Sequence, residues 1–307
     1  FVLRANKFGC IFERIIRSMN QAEKSLAHFR IIAETIKIEH TIFALPFALV
    51  AFFMTTQSAS QLTDFFWVFV VMVSMRTFVM FSNRLIDRKI DGLNIRTANR
   101  PLVDGRLSLL SGQVYAVISV LIFLFAVSRL HTLAWFLTPV PIALAIIYPY
   151  LKRFTWLCHF GIGLIYLIVP PAVQIALTGD FSLWSVLLGI AAGLWVSGFD
   201  ILYGIFDIQN DRRLGIHSIP ARFGLPSALR ITKILHFATI ILIILTGYIY
   251  GFGLIYYVGV IATALLLSYE NYILKPEDMS RLNTAFFTVN GLIAIIFFVF
   301  SVGDIFI

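Results

Sequence analysis

The sequence is poor in charged residues and nearly free of cysteine. Charged residues make up 13% of its 307 positions, whereas hydrophobic residues make up 59%. A water-soluble particle of this size needs far more polar surface, so the composition excludes soluble enzymes and predicts a chain embedded in a bilayer. The two cysteines, Cys10 and Cys158, lie far apart and have no metal or redox spacing, which argues against a disulfide framework and a zinc site.

Long apolar runs occur along the whole chain. A helix needs about 20 apolar residues to cross roughly 30 Å of hydrocarbon. We therefore predict an all-α, polytopic membrane bundle with nine transmembrane helices at residues 38–56, 65–86, 112–129, 132–150, 158–178, 182–206, 234–251, 253–273 and 284–303. Residues 38–307 form this domain, and residues 1–37 form a cytoplasmic or interfacial segment. Apolar residues at helical spacing between Phe8 and Ile16 indicate a helix at the membrane surface.

Basic residues are distributed unevenly across the predicted spans. Lys and Arg accumulate in cytoplasmic loops, and 22 of the 24 lie on the same side as the N-terminus. The pattern predicts a cytoplasmic (plasma or inner) membrane protein whose N-terminus and active site face the cytoplasm. Topology and attraction to anionic lipid headgroups account for the net charge of +8, so no nucleic-acid partner is expected. The sequence gives no indication of an oligomeric state.

A first acidic stripe lies at the cytoplasmic end of the second span. Acids are expensive in membranes, about 2.5–3.5 kcal/mol each at a helix centre on insertion scales, so their positions are informative. Asn83, Asp87 and Asp91 are spaced four residues apart and therefore share one face of a helix.

A second acidic stripe ends the sixth span. Asp200, Tyr203, Asp207 and Asp211 have offsets of 0, 3, 7 and 11, which again fall on one helical face. Even-numbered spans run in the same direction, so both stripes end on the same side of the membrane. Two facing groups of oxygen ligands suit Mg²⁺, which takes few carboxylates and leaves positions for water and phosphate.

The alternative is that these acids are solvated helix ends balanced by the neighbouring cations, which are Arg84, Arg88, Lys89, Arg212 and Arg213. A single D-x-x-x-D pattern favours that interpretation. Two copies at the same side of the membrane favour a metal and diphosphate site instead.

Cations suited to a diphosphate surround both stripes. Arg96 and Arg100 follow the first stripe, and Tyr148 precedes Lys152 and Arg153 in the short loop after the fourth span. Arg clamps phosphate oxygens bidentately, whereas Lys acts as a compact point charge. Most of these cations, taken singly, are equally consistent with topology anchors. Lys152 favours a functional role because its loop is short and on the correct side.

Two further cations lie nearer the apolar region. Arg76 precedes Asn83 by seven residues, about 10 Å deeper at 1.5 Å per residue, so we expect a partner that is either a buried acid or a substrate carboxylate. Lys37 opens the first span, where an interfacial cluster with Glu39 and His40 is the alternative. The other histidines show no ligand spacing, and we interpret them as ordinary: His28, His131, His159, His217 and His236.

Four motifs resemble, in this order, those of the UbiA-type intramembrane aromatic prenyltransferases: Asn83-x-x-x-Asp87-x-x-x-Asp91, Arg96-Thr-Ala-Asn-Arg100-Pro-Leu, Tyr148-Pro-x-x-Lys152-Arg153 and Asp200-x-x-Tyr203-x-x-x-Asp207-x-x-x-Asp211. The resemblance extends from about residue 36 onward. It implies nine transmembrane helices around a central cavity with a cap over the polar end. It also implies Mg²⁺-dependent transfer of a polyprenyl group from polyprenyl diphosphate to the ring of a hydroxylated aromatic acid.

The resemblance implies roles for individual residues. The ligands that hold Mg²⁺ on the diphosphate would be Asn83, Asp87, Asp91, Asp207 and Asp211. Asp200 matches an acid that orients or deprotonates the aromatic hydroxyl, and with Lys152 and Arg76 it is assigned to catalysis. Substrate binding is assigned to Lys37, Arg96, Arg100, Tyr148, Arg153 and Tyr203. Tyr148, Tyr203 and Phe206 are candidates to stabilise an allylic cation.

The sequence departs from the family pattern in two places. Arg84 replaces the second Asp of N-D-x-x-D, and Ile208-Gln209-Asn210 replaces a more acidic stretch, which changes the local charge balance. Asn83-Arg-Leu-Ile-Asp87 and His217-Ser-Ile-Pro-Ala-Arg-Phe-Gly224 look more like the branch attached to the futalosine route to menaquinone than like the ubiquinone branch. The resemblance therefore implies 1,4-dihydroxy-6-naphthoate or 4-hydroxybenzoate as the acceptor.

Two other functions compete with this interpretation. Membrane CDP-alcohol phosphotransferases also use Asp clusters and metal on a diphosphate, but their acids lie in one continuous motif. A transporter would carry its charges near mid-membrane on broken helices, whereas here the acids lie at one face.

Overall fold

The structure is a computed structural model of the chain, and it describes residues 26–37, 41–57 and 61–307. These ranges form helices joined by loops, and they contain one isolated bridge, between Lys275 and Asp278, but no sheet. The all-α prediction is confirmed for this part of the chain. The surface helix predicted between Phe8 and Ile16 lies outside the described residues.

The helices of the described residues are labelled in chain order. The first, α1, covers residues 26–36. The others are α2 Thr41–Thr56, α3 Leu62–Gly92, α4 Pro101–Asp104, α5 Leu109–Val127, α6 Thr132–Leu137, α7 Pro139–Leu151, α8 Cys158–Leu167, α9 Val169–Thr178, α10 Leu183–Gly204, α11 Ile208–Leu214, α12 Ile219–Tyr250, α13 Leu254–Ile273 and α14 Asn290–Phe306.

Each of the nine predicted spans falls on helical structure within the described ranges. Eight of them coincide with segments that are long and apolar enough to cross a membrane. The first, predicted at 38–56, corresponds to α2, which has 16 residues and is about 24 Å long at 1.5 Å per residue. Residues 38–40 lie outside the described part. The prediction of a multi-pass helical bundle is confirmed.

The fourth and fifth spans are each built from two helices that meet beside prolines. In the fourth, α6 and α7 join at Thr138, directly before Pro139. In the fifth, α8 and α9 join at Ile168, shortly before Pro170. Proline lacks an N–H group and clashes with the preceding turn of a helix. Neighbouring helices in a bundle can satisfy the backbone groups that such a break releases.

The seventh span begins much earlier than predicted. The apolar run suggests 234–251, but α12 starts at Ile219 and continues through a kink at Gly224. Gly224 has φ +79°, a left-handed conformation that glycine adopts without steric cost. The basic residues Arg230 and Lys233 interrupt the apolar run, so the length of that run does not predict the first part of the helix.

The central helix of the bundle is α10, which packs against α8 and α12. In the span that contains it, Leu183–Leu214, 72% of an 18-residue apolar stretch is buried, whereas the corresponding share in the other candidate spans of the described residues is 17% to 50%. Glycines permit the contact with α8, because a Cβ on Gly163 would lie 2.7 Å from the carbonyl oxygen of Gly193. Small residues allow helix backbones to approach closely in membranes.

A buried polar network joins α10, α13 and α14. Trp195 Nε1 donates to Asn290 Oδ1 at 2.8 Å, and Asn290 Nδ2 donates to Glu270 Oε1 at 2.8 Å. The same Asn290 nitrogen lies 3.0 Å from the carbonyl oxygen of Ala285, in the π-helical turn before α14. The network therefore fixes this turn, which carries Phe286 towards the interior of the bundle.

Candidate active site

The ends of α3 and α10 meet around one cavity of about 340 Å³. Small-molecule sites usually have volumes of roughly 300–1,000 Å³. Thirteen of the fourteen residues predicted for the site line this cavity: Lys37, Arg76, Asn83, Asp87, Asp91, Arg96, Arg100, Tyr148, Lys152, Asp200, Tyr203, Asp207 and Asp211. The exception is Arg153, whose Nη2 donates to the carbonyl oxygen of Ile86 at 2.7 Å. Both acidic stripes and most of their cations thus lie in one place.

The first stripe lies on one face of α3, which remains helical to Gly92. Asp87 is only 1% exposed, and Lys152 Nζ lies 2.5 Å from its Oδ2. Asn83 Nδ2 donates to the same oxygen at 3.3 Å. The other oxygen of Asp87, Oδ1, makes no hydrogen bond within the described residues, although Arg153 Nη2 lies 3.6 Å away. One buried carboxylate oxygen therefore has no hydrogen-bond donor among the described residues.

The loop after α3 folds back over the cavity. Thr97 Oγ1 donates to the carbonyl oxygen of Asp91 at 2.8 Å, which holds the loop against the end of the helix. Arg100 Nη1 then reaches Asp91 Oδ2 at 2.5 Å. Pro101 starts α4 immediately afterwards, at the first helical position that proline favours. This local fold explains why the basic residues of the loop lie next to the acids of α3.

The second stripe does not lie on one uninterrupted helix, so the prediction from its spacing is wrong in this respect. The helix α10 ends at Gly204, a 3₁₀ turn covers Ile205–Asp207, and α11 begins at Ile208. A 3₁₀ turn has three residues per turn instead of 3.6, so it changes the direction of the side chains that follow. A Cβ on Gly204 would lie only 3.0 Å from His159 Cε1, which favours glycine at the end of α10.

Asp207 is held by residues of the loop after α3. Arg96 Nε lies 3.0 Å from Asp207 Oδ1, and Arg96 Nη2 also bonds to Oδ2. Asn94 Nδ2 donates to Asp207 Oδ1 at 2.8 Å, and Arg96 Nη1 donates to the Tyr203 hydroxyl at 2.6 Å. Burial acts to lower the pKa of Arg96, but its hydrogen bonds to Asp207 and Tyr203 outweigh burial and raise that pKa above its ordinary value. Arg96 therefore stays positively charged at physiological pH.

Asp211 lies one element further along the chain and is 9% exposed. Ser218 Oγ donates to Asp211 Oδ2 at 2.9 Å. The same Ser218 oxygen accepts from the backbone N–H of Ala221 and caps the start of α12. The hydrogen-bond partner of this carboxylate is thus a neutral hydroxyl held in place by a helix cap.

Arg76 connects the deeper part of the cavity to α1. Its Nη1 and Nη2 lie 3.0 Å and 2.9 Å from the carbonyl oxygens of Ile36 and Lys37, at the C-terminal end of α1. The buried Arg84 Nε reaches the carbonyl oxygen of Thr35 at 3.4 Å. Basic side chains commonly bind the final carbonyl groups of a helix. Two arginines of α3 therefore hold the end of α1 at the cavity.

Asp200 has a partner that the sequence analysis did not identify. His159 Nδ1 lies 2.7 Å from Asp200 Oδ2, and both residues line the cavity. They are 41 residues apart, one near the start of α8 and the other on α10. No local spacing links them, so His159 was interpreted as ordinary. The available signal was its place at the start of the fifth span, seven residues after Lys152.

Aromatic rings form part of the cavity wall. The ring centroids of Tyr203 and Phe286 are 4.6 Å apart, and the Arg96 guanidinium lies 4.8 Å from the centroid of Tyr203. Tyr148 and Phe199 also line the cavity, whereas Phe206 does not. The faces of such rings attract cations. This wall is therefore suited to positive charge that develops beside the acids.

The donor atoms suit a hard cation. Both stripes offer carboxylate or amide oxygens, which Mg²⁺ prefers, whereas softer metals favour thiolate or imidazole ligands. In the described ranges, no three His, Cys, Asp or Glu side chains are close enough together to enclose a metal by themselves. The residues therefore fit an open Mg²⁺ site, in which the protein would supply few ligands, Asp87 among them, and phosphate and water would supply the rest.

A second cavity of about 270 Å³ adjoins the first and extends towards the apolar interior. The two share four lining residues, which are Met72, Met75, Ile165 and Val169. Every residue that lines the second cavity is apolar except Thr138. The linings of this pair of cavities suit a molecule with an anionic head and a hydrocarbon tail.

Comparisons with known proteins agree with this architecture. The UbiA prenyltransferase family matches residues 44–299. The 4-hydroxybenzoate octaprenyltransferase of Aliivibrio fischeri (strain MJ11) is 31% identical over 229 residues, which cover 75% of this chain and 79% of that protein. The 4-hydroxybenzoate octaprenyltransferase of Haemophilus ducreyi is 32% identical over 219 residues, covering 71% and 78% respectively.

Solved structures share the fold. A UbiA homolog from Aeropyrum pernix K1 superposes with a TM-score of 0.79 at 33% identity, covering 87% of this chain and 98% of that one. A UbiA homolog from Archaeoglobus fulgidus, solved with GPP and Mg²⁺, gives a TM-score of 0.71 at 18% identity over 90% and 100% of the two chains, a likeness of fold alone. The family match spans most of the helices and the cavity described above, and the chain belongs to the UbiA prenyltransferase family of multi-pass membrane transferases.

Proposed function

We propose that the protein transfers a polyprenyl group from polyprenyl diphosphate to the ring of a hydroxylated aromatic acid, and that the reaction requires Mg²⁺. The observation that carries the proposal is the convergence of five Asp carboxylates on one cavity that adjoins a second, apolar cavity. A polyprenyl diphosphate has the matching parts, an anionic head and a hydrocarbon tail. The acids suit a metal-bound head, and the apolar cavity suits the tail.

The acceptor that we propose is 4-hydroxybenzoate or 1,4-dihydroxy-6-naphthoate. The names of the curated relatives support the first, and the Asn83-Arg-Leu-Ile-Asp87 sequence supports the second. Both molecules carry a ring hydroxyl and a carboxylate. Asp200 would accept a hydrogen bond from the hydroxyl, and Arg76 and Lys37 would attract the carboxylate.

The metal ligands that we propose are Asn83, Asp87, Asp91, Asp207 and Asp211. When bound, Mg²⁺ supplies positive charge that stabilises the departing diphosphate. The cations Lys152, Arg100 and Arg96 lie next to these ligands and would bind the remaining diphosphate oxygens. Hydrogen-bond donors that are already positioned where charge develops contribute strongly to catalysis.

The reaction that we propose is an electrophilic aromatic substitution. The bond between C1 of the prenyl chain and the diphosphate oxygen breaks, and its electron pair leaves with the diphosphate. Tyr203 and Phe286 face the electron-deficient allylic carbon and stabilise it, and the bundle excludes water that would quench it. A ring carbon ortho to the hydroxyl bonds to C1, and the proton on that carbon then leaves to restore the aromatic ring.

We also propose that the mouth of the cavity faces the cytoplasm. The loops around it carry most of the basic residues, including Arg96, Lys152 and Arg213, and such loops are typically cytoplasmic. Both soluble substrate groups, the diphosphate and the aromatic acid, would then enter from the cytoplasm.

The test is an assay of purified protein in lipid nanodiscs with radiolabelled octaprenyl diphosphate, each aromatic acid, and either Mg²⁺ or EDTA. We expect a lipid-extractable product with one acid or both, dependent on Mg²⁺, and mass spectrometry should locate a new bond to a ring carbon. Failure with both acids would contradict the proposal. Release of CMP from CDP-diacylglycerol would support the phosphotransferase alternative, and ion flux in liposomes would support the transporter.

A further inference from the structure

His159 joins three elements of the bundle beside the proposed acceptor position. It begins the fifth span on α8, its Nδ1 contacts Asp200 on α10 at 2.7 Å, and its Nε2 lies 3.4 Å from the backbone nitrogen of Ile219, the first residue of α12. The side chain of His159 is 5% exposed, while that of Asp200 is 30% exposed. The histidine is therefore enclosed, and the carboxylate is accessible.

The contact with Ile219 determines which nitrogen of His159 carries the proton. A backbone N–H group can only donate, so Nε2 of His159 must accept. In a neutral imidazole, the other nitrogen then carries the hydrogen. Nδ1–H of His159 therefore donates to Asp200 Oδ2. The fold thus fixes which of the two imidazole nitrogens carries the hydrogen.

The same contacts limit the freedom of the imidazole ring. The ring lies against Gly204, where a Cβ would be 3.0 Å from Cε1, so larger side chains at that position would displace it. The adjacent Cys158 Sγ donates to the carbonyl oxygen of His217 at 3.3 Å, and His217 N donates to the carbonyl oxygen of Lys152 at 2.7 Å. The segment before α12 is thus tied to the start of α8, which keeps Ile219 in place above the ring.

Asp200 uses one carboxylate oxygen for this contact. Within the described residues, its hydrogen bond is to His159 through Oδ2. The carboxylate is on the cavity wall, and its partial exposure leaves Oδ1 accessible from the cavity. Because Oδ2 is already bonded to His159, Oδ1 is the oxygen that can accept a hydrogen bond from a substrate hydroxyl.

We propose that His159 is a positioning residue that orients Asp200, so that Oδ1 accepts the hydrogen of the acceptor hydroxyl. This inference rests on the proposed function, because it assigns Asp200 to a hydroxylated aromatic substrate. His159 does not contact that substrate in this account. Its hydrogen bond holds the carboxylate in the orientation in which Oδ1 can take the hydroxyl hydrogen, and that contact makes the ortho carbon of the ring more nucleophilic.

Two conservative variants distinguish the two nitrogens of His159. In His159→Asn the amide nitrogen lies near the position of Nδ1, so a donor to Asp200 is retained. In His159→Gln the amide nitrogen lies near the position of Nε2, so a donor is present but points away from Asp200. We expect His159→Gln to lower kcat about ten- to a hundredfold, the range that one hydrogen bond to a charged group can supply, and His159→Asn to recover most of the rate.

Three readouts separate positioning from general damage to the fold. The affinity for geranyl S-thiolodiphosphate with Mg²⁺ should match that of the wild-type protein in both variants, because His159 does not face the diphosphate. The KM for prenyl diphosphate should also be unchanged. The loss in His159→Gln should be smaller with 3-fluoro-4-hydroxybenzoate than with 4-hydroxybenzoate, because the more acidic phenol depends less on the pull of Asp200.

Wild-type rates in His159→Gln, or an equal loss in His159→Asn, would overturn the inference. A measurement on the wild-type protein serves where variants do not fold: ¹⁵N chemical shifts of the His159 imidazole should show a protonated Nδ1, and an unprotonated Nδ1 would overturn it too. If the wild-type protein prenylates no hydroxylated aromatic acid, the proposed function fails instead, an outcome visible before any variant is compared.

Discussion

Asp87 shows how the site accommodates charge inside a membrane protein. A carboxylate that is 1% exposed is costly to bury unless a cation and hydrogen bonds compensate for lost water. Lys152 and Asn83 both contact its Oδ2, and Oδ1 is left without a hydrogen bond in the described residues. The arrangement stabilises the charge at one oxygen and leaves the other, which is also buried, without a hydrogen-bond donor among the described residues.

Asp87 could be selected from the sequence, whereas His159 could not. The spacing of Asn83, Asp87 and Asp91 is local, and helix geometry converts it directly into a shared face. The partner of His159 is 41 residues away on another span, and the residues between them follow an ordinary apolar pattern. Contacts of that kind depend on which helices pack together, and the local spacing of residues does not reveal this.

At the residue scale, we predict that Arg96→Lys raises the KM for prenyl diphosphate about tenfold or more, because Lys keeps the charge but cannot make bidentate contacts. Arg96 bonds to both oxygens of Asp207 and to Tyr203, and one ammonium group cannot replace that geometry. Steady-state kinetics with varied prenyl diphosphate measure the effect.

Arg106→Lys is the matched control for Arg96→Lys. Arg106 also makes several hydrogen bonds to carboxylates, those of Glu34 and Asp104, but its side chain is 43% exposed and does not line the cavity. We expect kinetics close to wild type for this variant. Equal KM values for Arg96→Lys and wild type would contradict the role of Arg96.

The helix break between α10 and α11 is the main feature that the sequence conceals at the scale of elements. The offsets of Asp200, Tyr203, Asp207 and Asp211 fit one continuous helix, yet the chain tightens into a 3₁₀ turn at Ile205–Asp207. The apolar pattern continues through Ile205 and Phe206, so the pattern does not mark the change, and Gly204 alone is a weak sign of it. All four side chains still line the cavity because the break redirects the end of the span across its mouth.

The apolar cavity between α3, α5 and the fourth and fifth spans leads to a prediction about chain length. Val71 lines this cavity but not the polar one. In Val71→Trp, we expect the ratio of kcat/KM for octaprenyl diphosphate to that for geranyl diphosphate to fall about tenfold or more, as expected when steric bulk excludes part of a substrate. Phe66→Trp on the lipid-facing side of the same helix is the control, because Phe66 is 54% exposed. An unchanged ratio in Val71→Trp would place the tail elsewhere.

The network centred on Asn290 leads to a prediction about stability. Asn290→Leu keeps the volume but leaves Trp195 Nε1 and Glu270 Oε1 without their partner, and each such loss costs about 1–3 kcal/mol. We expect a clearly lower Tm in detergent, measured by scanning fluorimetry, and faster proteolysis near the π-helical turn. Leu292→Ala, two residues away and facing outwards, should change the Tm little. A Tm for Asn290→Leu equal to that of wild type would contradict a stabilising role for the network.

At the scale of the whole molecule, the bundle and the location of the site followed from two simple patterns. Apolar runs of membrane-spanning length marked the helices, and the acids at the ends of even-numbered spans marked one face. The apolar pattern does not predict the start of α12, because the first turns of this helix carry basic residues. A search for long apolar runs finds the apolar part of a helix and leaves out a polar extension at its end.

The orientation leads to a prediction that accessibility labelling can test. After Cys10 and Cys158 are replaced with Ser, single cysteines are introduced as Asp180→Cys and Ser280→Cys, both at exposed loop positions. Because basic loops are cytoplasmic, a membrane-impermeant maleimide should label Asp180→Cys in intact cells and Ser280→Cys only after permeabilisation. The reverse pattern would place the cavity mouth outside the cytoplasm.

Asp87→Ala and Asp207→Ala test the central claim most directly, because they remove one proposed metal ligand from each stripe. Transfer of a radiolabelled prenyl group to the aromatic acid is measured for both variants, for wild type and for Asp180→Asn, across a titration of Mg²⁺ that starts from EDTA-treated protein. We expect each alanine variant to lose about a thousandfold or more, in line with a metal contribution of several kcal/mol. Wild type and Asp180→Asn should be active only with the metal, and transfer that persists in both alanine variants or without divalent metal would contradict the account.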